Sequence, residues 1–255
     1  MKVVILAGGK GTRLAEVTDA RPKPMVEIGD KPIIWHIMSH YAAFGHREFL
    51  VAAGYKAHVI KRWFLDEYEL AGDLTLGGDA PDPGPRRGLA DWTVHLCDTG
   101  ADTNTGGRLR RLGDRLRDGT FMVTYGDGVS DVPIDRLIAF HRSAGRLATV
   151  TAVRPPARFG GLVFDGDIVS EFTEKPQIGE GWINGGFLVC EPGVLDYLES
   201  DQDSMELRML ERLARDRQLA AYRHEGFWQC MDTLRDLRSL QGMWDSGRVP
   251  WTIRR

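Results

Sequence analysis

The amino-acid sequence predicts an α/β protein whose central sheet is doubly wound and mostly parallel, with helices on both faces. Three observations predict this fold class. Apolar runs of strand length alternate with segments of helical periodicity through the first half of the chain. A glycine-rich turn directly follows the first apolar run, as at the first strand-to-helix turn of Rossmann-like folds. In the second half, residues alternating around an Asp-Gly pair add a small β-hairpin appendage.

Four near-continuous apolar runs in the first half predict strands that are covered on both faces of the sheet. They lie at residues 3–8, 47–54, 92–98 and 120–126. Helical patterns lie between and after them, at residues 31–45, 56–69, 106–119 and 132–145. Pro32 and Gly45 are typical of the start and the end of the first of these helices. This repeated β-α-β order predicts parallel pairing of the strands.

The second half of the sequence has a different pattern of elements. The predicted elements are a hairpin at 160–176, a strand at 181–193, short helices at 193–200 and 204–218, a strand at 220–232 and a closing helix from Thr233 to about Ser246. The Pro/Gly-rich segment 77–91 predicts a loop. We expect a single domain over 1–255, because no linker is long enough to separate two independent domains.

Composition limits the classes of protein that fit. The chain has 255 residues, of which 42% are hydrophobic and 27% charged, as in an ordinary globular enzyme. A net charge of −3 argues against a nucleic-acid partner. Cys97, Cys190 and Cys230 lie far apart, which favours free thiols in a reducing compartment. The apolar run at the N-terminus is too short for a signal peptide or a membrane span, so we expect a cytoplasmic protein without a membrane partner.

The turn LAGGKGTRL (6–14) predicts a cradle for an anionic ligand. Its three glycines let the backbone approach a ligand closely, and Lys10 and Arg13 supply positive charge. A P-loop would need a Lys-Ser or Lys-Thr pair at a spacing that the turn lacks. A dinucleotide fingerprint would need a third glycine where Leu14 stands. The cradle is therefore of a third type.

This turn, together with RPKPMVEIGDKPII at 21–34, resembles the sugar-1-phosphate nucleotidylyltransferase superfamily. Further segments follow in the order and at the spacings of that family: YGDG (125–128), FTEKP (172–176), INGGF (183–187) and FWQCMDTLRD (227–236). Together the segments span nearly the whole chain. Several short motifs are most similar to the cytidylyltransferase branch of the superfamily, among them TGGRL, RFGGL and MDTLRD.

The resemblance implies attack of a sugar-1-phosphate oxygen on the α-phosphorus of a nucleoside triphosphate, with release of pyrophosphate. In the cytidylyltransferase branch the substrates are CTP and glucose 1-phosphate, the product is CDP-glucose, and the cofactor is Mg²⁺. The same chemistry with UTP, dTTP, GTP or another sugar 1-phosphate is an alternative, because loops rather than the fold carry specificity. A non-catalytic nucleotide-sugar sensor is a further alternative, although such a protein would be expected to lose catalytic residues that this chain retains.

The resemblance also implies a homo-oligomer, either a trimer or a hexamer, with loop 77–91 near a neighbouring subunit. Within one chain, residues 1–130 are expected to bind mainly the nucleotide and residues 131–255 mainly the sugar. The β-hairpin appendage belongs to this sugar-binding half.

Four residues are the catalytic candidates: Arg13, Lys23, Asp127 and Asp232. Arg13 would bind the β- and γ-phosphates as a planar fork, and Lys23 is stiffly presented between two prolines. Asp127 and Asp232 each follow an apolar strand and are the proposed Mg²⁺ ligands. Asp232 is also a good N-cap for the closing helix, so both roles are open for it.

The substrate-binding candidates follow from the matched segments. The nucleotide-binding candidates lie in or near the glycine-rich turn, in segment 103–109, and at the metal site: Leu6, Ala7, Gly8, Gly9, Gly11, Thr12, Arg13, Thr103, Thr105, Gly107, Arg108 and Asp127. Arg108 could bond to the cytosine carbonyl or to phosphate. The sugar-phosphate candidates carry hydrogen-bonding groups or lie in glycine-containing motifs: Lys23, Tyr125, Gly160, Glu174, Lys175, Asn184 and Gly185.

Two places in the sequence differ from the cytidylyltransferase branch, and one pair of histidines has a spacing that can ligate zinc. Segment 204–214 has Leu-Arg-Met where Glu-Pro is expected, which leaves open both the sugar and the role of Glu206 as an acid for a sugar hydroxyl. Cys230 stands where proline is usual, as either an oxidation-sensitive thiol or an inert buried one. His36 and His40 have a spacing that can ligate zinc, but without the intervening Glu a packing role is expected.

Overall fold

A computed structural model describes residues 1–11, 14, 21–70, 91–155, 161–165, 168–173 and 181–252. Its strands are β1 (Val3–Ala7), β2 (Glu27–Ile28), β3 (Lys31–Pro32), β4 (Glu48–Ala53), β5 (Thr93–Asp98), β6 (Phe121–Tyr125), β7 (Gly128–Ser130), β8 (Ala148–Val153), β9 (Gly161–Asp165), β10 (Ile168–Thr173), β11 (Ile183–Cys190), β12 (Leu219–His224) and β13 (Trp228–Cys230). Its α-helices are α1 (Ile33–Ala43), α2 (Ala57–Glu69), α3 (Thr105–Arg111), α4 (Ile134–Ala144), α5 (Glu211–Arg215) and α6 (Leu234–Asp245). Short 3₁₀ turns lie at Lys23–Met25, Gly113–Arg115 and Pro192–Tyr197, and a π-helical turn at Met205–Leu210 precedes α5.

Within the described residues, seven strands form the central sheet in the order β12-β8-β11-β6-β1-β4-β5. The pairs β1/β4, β1/β6, β4/β5 and β12/β8 are parallel, and β11 runs antiparallel to both of its neighbours. The predicted doubly wound, mostly parallel sheet is therefore confirmed. From β1 the chain builds one side of the sheet with β4 and β5 and the other side with β6. Such a reversal of strand order opens a crevice at the carboxyl ends of the two central strands.

Hydrophobic clusters cover both faces of the sheet. Val3 and Ile5 of β1 belong to one cluster with residues of α1 and α4, and Val4 and Leu6 belong to the other with residues of α3 and α5. All five residues of β1 are buried, because successive side chains point to opposite, equally covered faces. This two-sided burial is the physical reason why the sequence of β1 is apolar without alternation.

The described helices lack any segment that is long and apolar enough to cross a bilayer. The predicted hairpin strands are present, since β9 and β10 pair antiparallel.

The sequence did not predict β8, a strand of the central sheet, and three predicted elements have a different form in the structure. Strand β5 lies at the edge of the sheet, where its side chains are half-buried or exposed rather than covered on both faces. The predicted helix 106–119 ends at Arg111, because Gly113 follows and a 3₁₀ turn replaces the last α-helical turns. The predicted strand 220–232 is two strands, and β13 leaves the central sheet to pair antiparallel with β7.

The break between β12 and β13 is caused by contacts with the end of β7 and the residue that follows it. Gly226 lies so close to the His224 ring and the Asp131 carboxylate that a Cβ there would overlap them. His224 Nε2 bonds to Asp131 Oδ1 at 2.8 Å, and the Ser130 hydroxyl donates to the Phe227 carbonyl at 2.7 Å. These contacts turn the chain toward β7 and carry the residues after β13 to the carboxyl end of β6.

Candidate active site

A cavity of about 380 Å³ lies at the carboxyl ends of β1 and β6. We call it the glycine-loop cavity. Nine of its lining residues are nucleotide-binding candidates from the sequence: Leu6, Ala7, Gly8, Gly9, Gly11, Thr103, Thr105, Arg108 and Asp127. Lys23, Tyr125 and Asp232 also line it. The crevice expected from the strand order is thus where these candidates meet.

The glycine-rich turn presents its backbone to this cavity. A Cβ placed on Gly9 would meet no atom within 4 Å, so its Cα faces open space. Gly11 has φ 63°, in the left-handed region that glycine adopts at no steric cost. A larger side chain at Gly9 would occupy space that a ligand could use. The turn is therefore suited to bring backbone close to an anion.

Arg108 supports the turn from below. Its side chain is 3% exposed and donates to the Gly8 carbonyl at 2.9 Å, the Gly100 carbonyl at 2.7 Å and the Thr99 hydroxyl at 2.7 Å. A Cβ on Gly8 or on Gly54 would overlap the guanidinium group. Burial, together with the nearby Arg111, lowers the pKa of Arg108. Three of its donor contacts hold protein groups, which gives Arg108 a structural role in addition to its place at the cavity wall.

Gly107 differs from the other nucleotide-binding candidates. A Cβ there would overlap the backbone of Asp201, and its N–H donates to the Asp203 carbonyl at 3.0 Å. It does not line either of the two cavities described here. The structure therefore places Gly107 at the packing contact between α3 and the segment before the π-helical turn.

Lys23 and two aspartates form an ion-paired group at the floor of the cavity. Lys23 Nζ lies 2.7 Å from Asp127 Oδ2 and also contacts Asp232 Oδ1. The lysine follows Pro22 in a 3₁₀ turn, and Pro24 packs against Gly126, so its backbone is held in place. Burial alone would lower the pKa of Lys23, but attraction to Asp127 and hydrogen bonds to both carboxylates outweigh it and raise the pKa. Lys23 therefore stays charged.

The two carboxylates come from distant parts of the chain. Asp127 follows β6 and Asp232 follows β13, and the Met231 N–H donates to the Asp127 carbonyl at 2.9 Å. The pairing of β7 with β13 thus places the aspartates side by side. Helix α6 is capped by Thr233 and Asp236 in a capping box. The N-cap role considered for Asp232 is therefore wrong, and its carboxylate is directed to Lys23.

A second cavity, of about 620 Å³, adjoins the first. We call it the Asn184 cavity. It shares Tyr125, Asp127 and Asp232 with the glycine-loop cavity, and Asn184 and Gly185 also line it. The Trp228 indole N–H donates to the Gly185 carbonyl at 2.7 Å, which fixes that part of β11. The ion-paired aspartates therefore lie at the junction of two cavities.

Glu206 is a residue of this site whose part the sequence left open. The Tyr125 hydroxyl donates to Glu206 Oε1, while Ser204 and Thr105 donate to Oε2 at 2.6 and 2.8 Å. Burial opposes ionisation of Glu206, but the hydrogen bonds from Ser204 and Tyr125 outweigh it and lower the pKa. The Asn184 amide donates to the Tyr125 hydroxyl at 3.3 Å. Glu206 thus organises a polar wall of the Asn184 cavity.

The π-helical turn at Met205–Leu210 is the local reason for the position of Glu206. Its N-cap Ser204 accepts from the Glu206 and Leu207 N–H groups, and the Met205 N–H donates to the Thr105 hydroxyl at 2.8 Å. π-Helical turns are rare and occur often at functional sites. The departure from the branch at 204–214 falls on this turn, and that coincidence is the one sequence signal that could have identified Glu206.

Five candidate residues lie outside the described residues: Thr12, Arg13, Gly160, Glu174 and Lys175. Residues 77–90 of the predicted subunit-contact loop lie outside them as well.

Cys230 lines the Asn184 cavity close to the aspartates. Burial, together with the nearby Asp232 and Asp236 carboxylates, raises the pKa of Cys230 to about 11. The thiol is therefore protonated at neutral pH, which favours the inert reading over the oxidation-sensitive one.

His36 and His40 have packing roles. His36 Nε2 bonds to the Ile28 carbonyl at 2.9 Å and His40 Nε2 to the Val132 carbonyl at 2.8 Å. Burial lowers the pKa of both rings, so both are neutral. His36 connects α1 to β2, and His40 connects it to the segment before α4.

The Asp127 and Asp232 pair fits a divalent cation. Both carboxylates converge on one positive atom, Lys23 Nζ, which shows that the pair forms a niche for positive charge. In the part of the chain that the structure describes, no cluster of three or more His, Cys, Asp or Glu side chains is placed to hold a metal. Mg²⁺ commonly takes one or two protein carboxylates and completes its shell with substrate phosphates and water, so a pair suffices.

The fold and this site define an α/β protein that receives an anionic ligand at a glycine-rich turn, beside a lysine and two carboxylates. The family profile described as nucleotidyl transferase matches residues 2–242. The chain belongs to this family.

Individual relatives agree with that assignment. The chain is 46% identical to a protein named glucose-1-phosphate cytidylyltransferase from Salmonella typhi, over 98% of both chains. It is 42% identical to a probable glucose-1-phosphate cytidylyltransferase from Bacillus subtilis, over 99% of this chain and 100% of the relative. Among solved structures, HddC from Yersinia pseudotuberculosis matches with a TM-score of 0.68 at 23% identity, covering 95% of this chain and 99% of that one. This last likeness bears on the fold alone.

Proposed function

We propose that the chain transfers the cytidylyl group of CTP to glucose 1-phosphate, forming CDP-glucose and pyrophosphate with Mg²⁺. The observation that carries this proposal is the junction of two cavities at one lysine and two carboxylates. Two substrates that fill the cavities would meet there. The choice of base and sugar rests on the relatives named glucose-1-phosphate cytidylyltransferase, which match over nearly their whole length.

In this proposal CTP lies in the glycine-loop cavity and glucose 1-phosphate in the Asn184 cavity. Backbone N–H groups of the glycine-rich turn would face the phosphates, and Thr103 and Thr105 would line the nucleoside side. Asn184 and Tyr125 would read hydroxyl positions of the sugar. The first cavity draws mainly on residues before 130, which agrees with the proposed division of the chain into a nucleotide half and a sugar half.

The reaction needs alignment and charge neutralisation more than it needs a nucleophilic side chain. The attacking sugar-phosphate oxygen is already an anion, so the protein's task is to hold two anions in line. Lys23 would bind the phosphate between the two substrates. Asp127 and Asp232 would hold Mg²⁺, which when bound neutralises phosphate charge during the displacement.

Several candidate roles remain predictions within this proposal. Arg13 would bind the β- and γ-phosphates together with Thr12, and Gly160, Glu174 and Lys175 would contact the sugar phosphate. The predicted trimer or hexamer, with contacts through loop 77–91, is testable by light scattering of the purified chain.

A pyrophosphate-release screen tests the proposed function. CTP, UTP, dTTP and GTP would each be paired with glucose 1-phosphate, mannose 1-phosphate and galactose 1-phosphate. We expect the highest kcat/KM for CTP with glucose 1-phosphate. A tenfold higher value for another pair would overturn the substrate assignment while leaving the chemistry intact. Binding of nucleotide without pyrophosphate release from any pair would favour the sensor.

A further inference from the structure

The three side chains of the ion-paired group, Lys23, Asp127 and Asp232, differ in solvent exposure. The Lys23 side chain is 10% exposed, whereas the side chains of Asp127 and Asp232 are 32% and 22% exposed. The lysine side chain is therefore less accessible than the two carboxylates, which remain reachable from the two cavities. A cation that enters through a cavity meets the carboxylates on their exposed side.

The lysine supplies positive charge to the two carboxylates when no other cation is bound. Two adjacent half-buried carboxylates repel each other, and removal of their counter-ion leaves that repulsion uncompensated. Lys23 Nζ contacts one oxygen of each aspartate and thereby stabilises both as anions. A compact ammonium with three donors can bridge two acceptors in this way.

Lys23 and a divalent cation would compete for the same carboxylate oxygens of Asp127 and Asp232. A cation held by both aspartates would bring two positive charges next to the ammonium, in a region where burial strengthens their repulsion. The backbone at Lys23 is held by Pro22 and Pro24, so relief must come from rotation of the four-carbon side chain. Lys23 already lines the glycine-loop cavity, and its ammonium can turn toward that space.

We propose that Lys23 takes the place of the divalent cation between Asp127 and Asp232 in the metal-free protein, and that cation binding displaces its ammonium toward the substrate phosphates. This inference rests on the proposed function, because it takes the two aspartates as the metal ligands. It adds a sequence of events: the lysine becomes available to phosphate only after the cation has bound. The lysine then acts both as a structural counter-ion and as a phosphate ligand, at different stages.

Binding of Mn²⁺ alone to the substrate-free protein, followed by electron paramagnetic resonance, tests this role. The change is Lys23→Met, which keeps an unbranched four-atom side chain and removes the terminal ammonium. We expect Mn²⁺ to bind Lys23→Met at least tenfold more tightly than the wild type, because the competing ammonium is gone. Lys31→Met is the matched control: Lys31 is ion-paired to Glu67 at 2.8 Å, is not among the residues lining either cavity, and its loss changes the net charge equally. The control should bind Mn²⁺ as the wild type does.

The variants Asp127→Asn and Asp232→Asn separate failure of this inference from failure of the proposed function. Mn²⁺ binding that depends on both aspartates but is equal in Lys23→Met and the wild type would overturn the displacement and keep the metal site. Binding that is indifferent to both aspartates would overturn the metal site and the inference together. Equal tightening in Lys23→Met and Lys31→Met would also overturn the displacement, because net charge would then be the cause.

A measurement on the wild type keeps the inference testable if Lys23→Met does not fold. Lysine side-chain ammonium signals in ¹H–¹⁵N NMR spectra would be followed during a titration with Mg²⁺ alone. We expect the Lys23 signal to shift or broaden with the occupancy of the metal site, while the Lys31 signal stays in place. A Lys23 signal that is unchanged at saturating Mg²⁺ would overturn the displacement.

Discussion

The glycine-loop cavity and the Asn184 cavity are neighbours, yet different kinds of residue line them. One wall of the first is the glycine-rich turn after β1, with Gly9 open to the cavity and Arg108 supporting the turn beneath. The second is walled by hydrogen-bonded side chains, where Tyr125, Asn184 and Glu206 meet from three distant segments. Among the described residues, only Tyr125, Asp127 and Asp232 line both cavities.

This difference indicates which substitutions should disturb each cavity. A wall of backbone is disturbed by added atoms, because a Cβ displaces either the support or the ligand. A wall of side chains is disturbed by the loss of a donor or acceptor, because the remaining buried partners are left unsatisfied. Substitutions at the junction should impair both sides at once. The four predictions below use this contrast.

The largest effect is expected at the junction. Asp127→Asn keeps the shape of the side chain but removes the charge that faces Lys23 and the proposed cation. We expect kcat to fall by at least about 100-fold, since loss of one preorganised electrostatic group costs about that much. Pyrophosphate release measures the rate, and circular dichroism checks that the fold is retained. A variant with near wild-type turnover would remove Asp127 from the proposed chemistry.

The next effect is expected in the backbone wall. Gly8→Ala places a Cβ against the Arg108 guanidinium, so the turn and its support must separate. We expect a loss of about 1–3 kcal/mol in the free energy of unfolding, as for other overpacked sites. Affinity for CTP, measured by calorimetry, should fall as well.

Gly9→Ala is the matched control for stability, because a Cβ there meets no atom within 4 Å. Its free energy of unfolding should lie within about 0.5 kcal/mol of the wild type. Equal destabilisation of the two variants would contradict the role assigned to Arg108.

A smaller and more selective effect is expected in the side-chain wall. Glu206→Gln replaces an acceptor of three hydrogen bonds with an amide, which disturbs the positions of Tyr125 and Asn184. We expect KM for glucose 1-phosphate to rise about tenfold, corresponding to roughly 1.4 kcal/mol. KM for CTP should change less, because Glu206 lines the Asn184 cavity and not the glycine-loop cavity.

Glu211→Gln controls for the change of charge, since Glu211 pairs with Arg215 at the surface and should leave both KM values unchanged. A larger rise in KM for CTP than for the sugar phosphate would reverse the assignment of the two cavities.

The smallest effect is a dependence of stability on pH. Hydrogen bonds outweigh burial and lower the pKa of Glu206 in the folded protein, so its ionised form is favoured by folding. This contribution is fully present above the unfolded-state pKa and is lost as the pH falls through the lower folded-state pKa. The stability difference between the wild type and Glu206→Gln, measured by urea unfolding, should therefore be constant near pH 7 and shrink below about pH 4. A difference that grows on acidification would contradict the sign.

Much of the fold could be predicted because its signals are local. Two-sided burial of β1 requires a continuous apolar run, and Pro32 directly precedes helix α1 as expected. Strand β5 was misjudged because an edge strand can have the same apolar sequence as a central one. The division of segment 220–232 was missed because it depends on the contact of Gly226 with Asp131, far away in the sequence.

In the candidate site too, contacts between segments that are distant in the sequence could not be predicted. Its glycine-rich turn, its lysine and its aspartates could be named from motif spacing. The support from Arg108, the packing of Gly107 against Asp201 and the wall around Glu206 could not, because each depends on the meeting of segments that no spacing relates.

By itself, the amino-acid sequence determined most of the strands and helices, although not β8, and it determined the types of residue that suit an anionic ligand, since periodicity and a glycine-rich turn are properties of neighbouring residues. The tertiary structure alone decided that Asp127 and Asp232 share Lys23, and that two cavities of unlike construction meet there. The physical reason is that a buried charge selects its partners by distance in space, and only the pairing of β7 with β13 sets that distance.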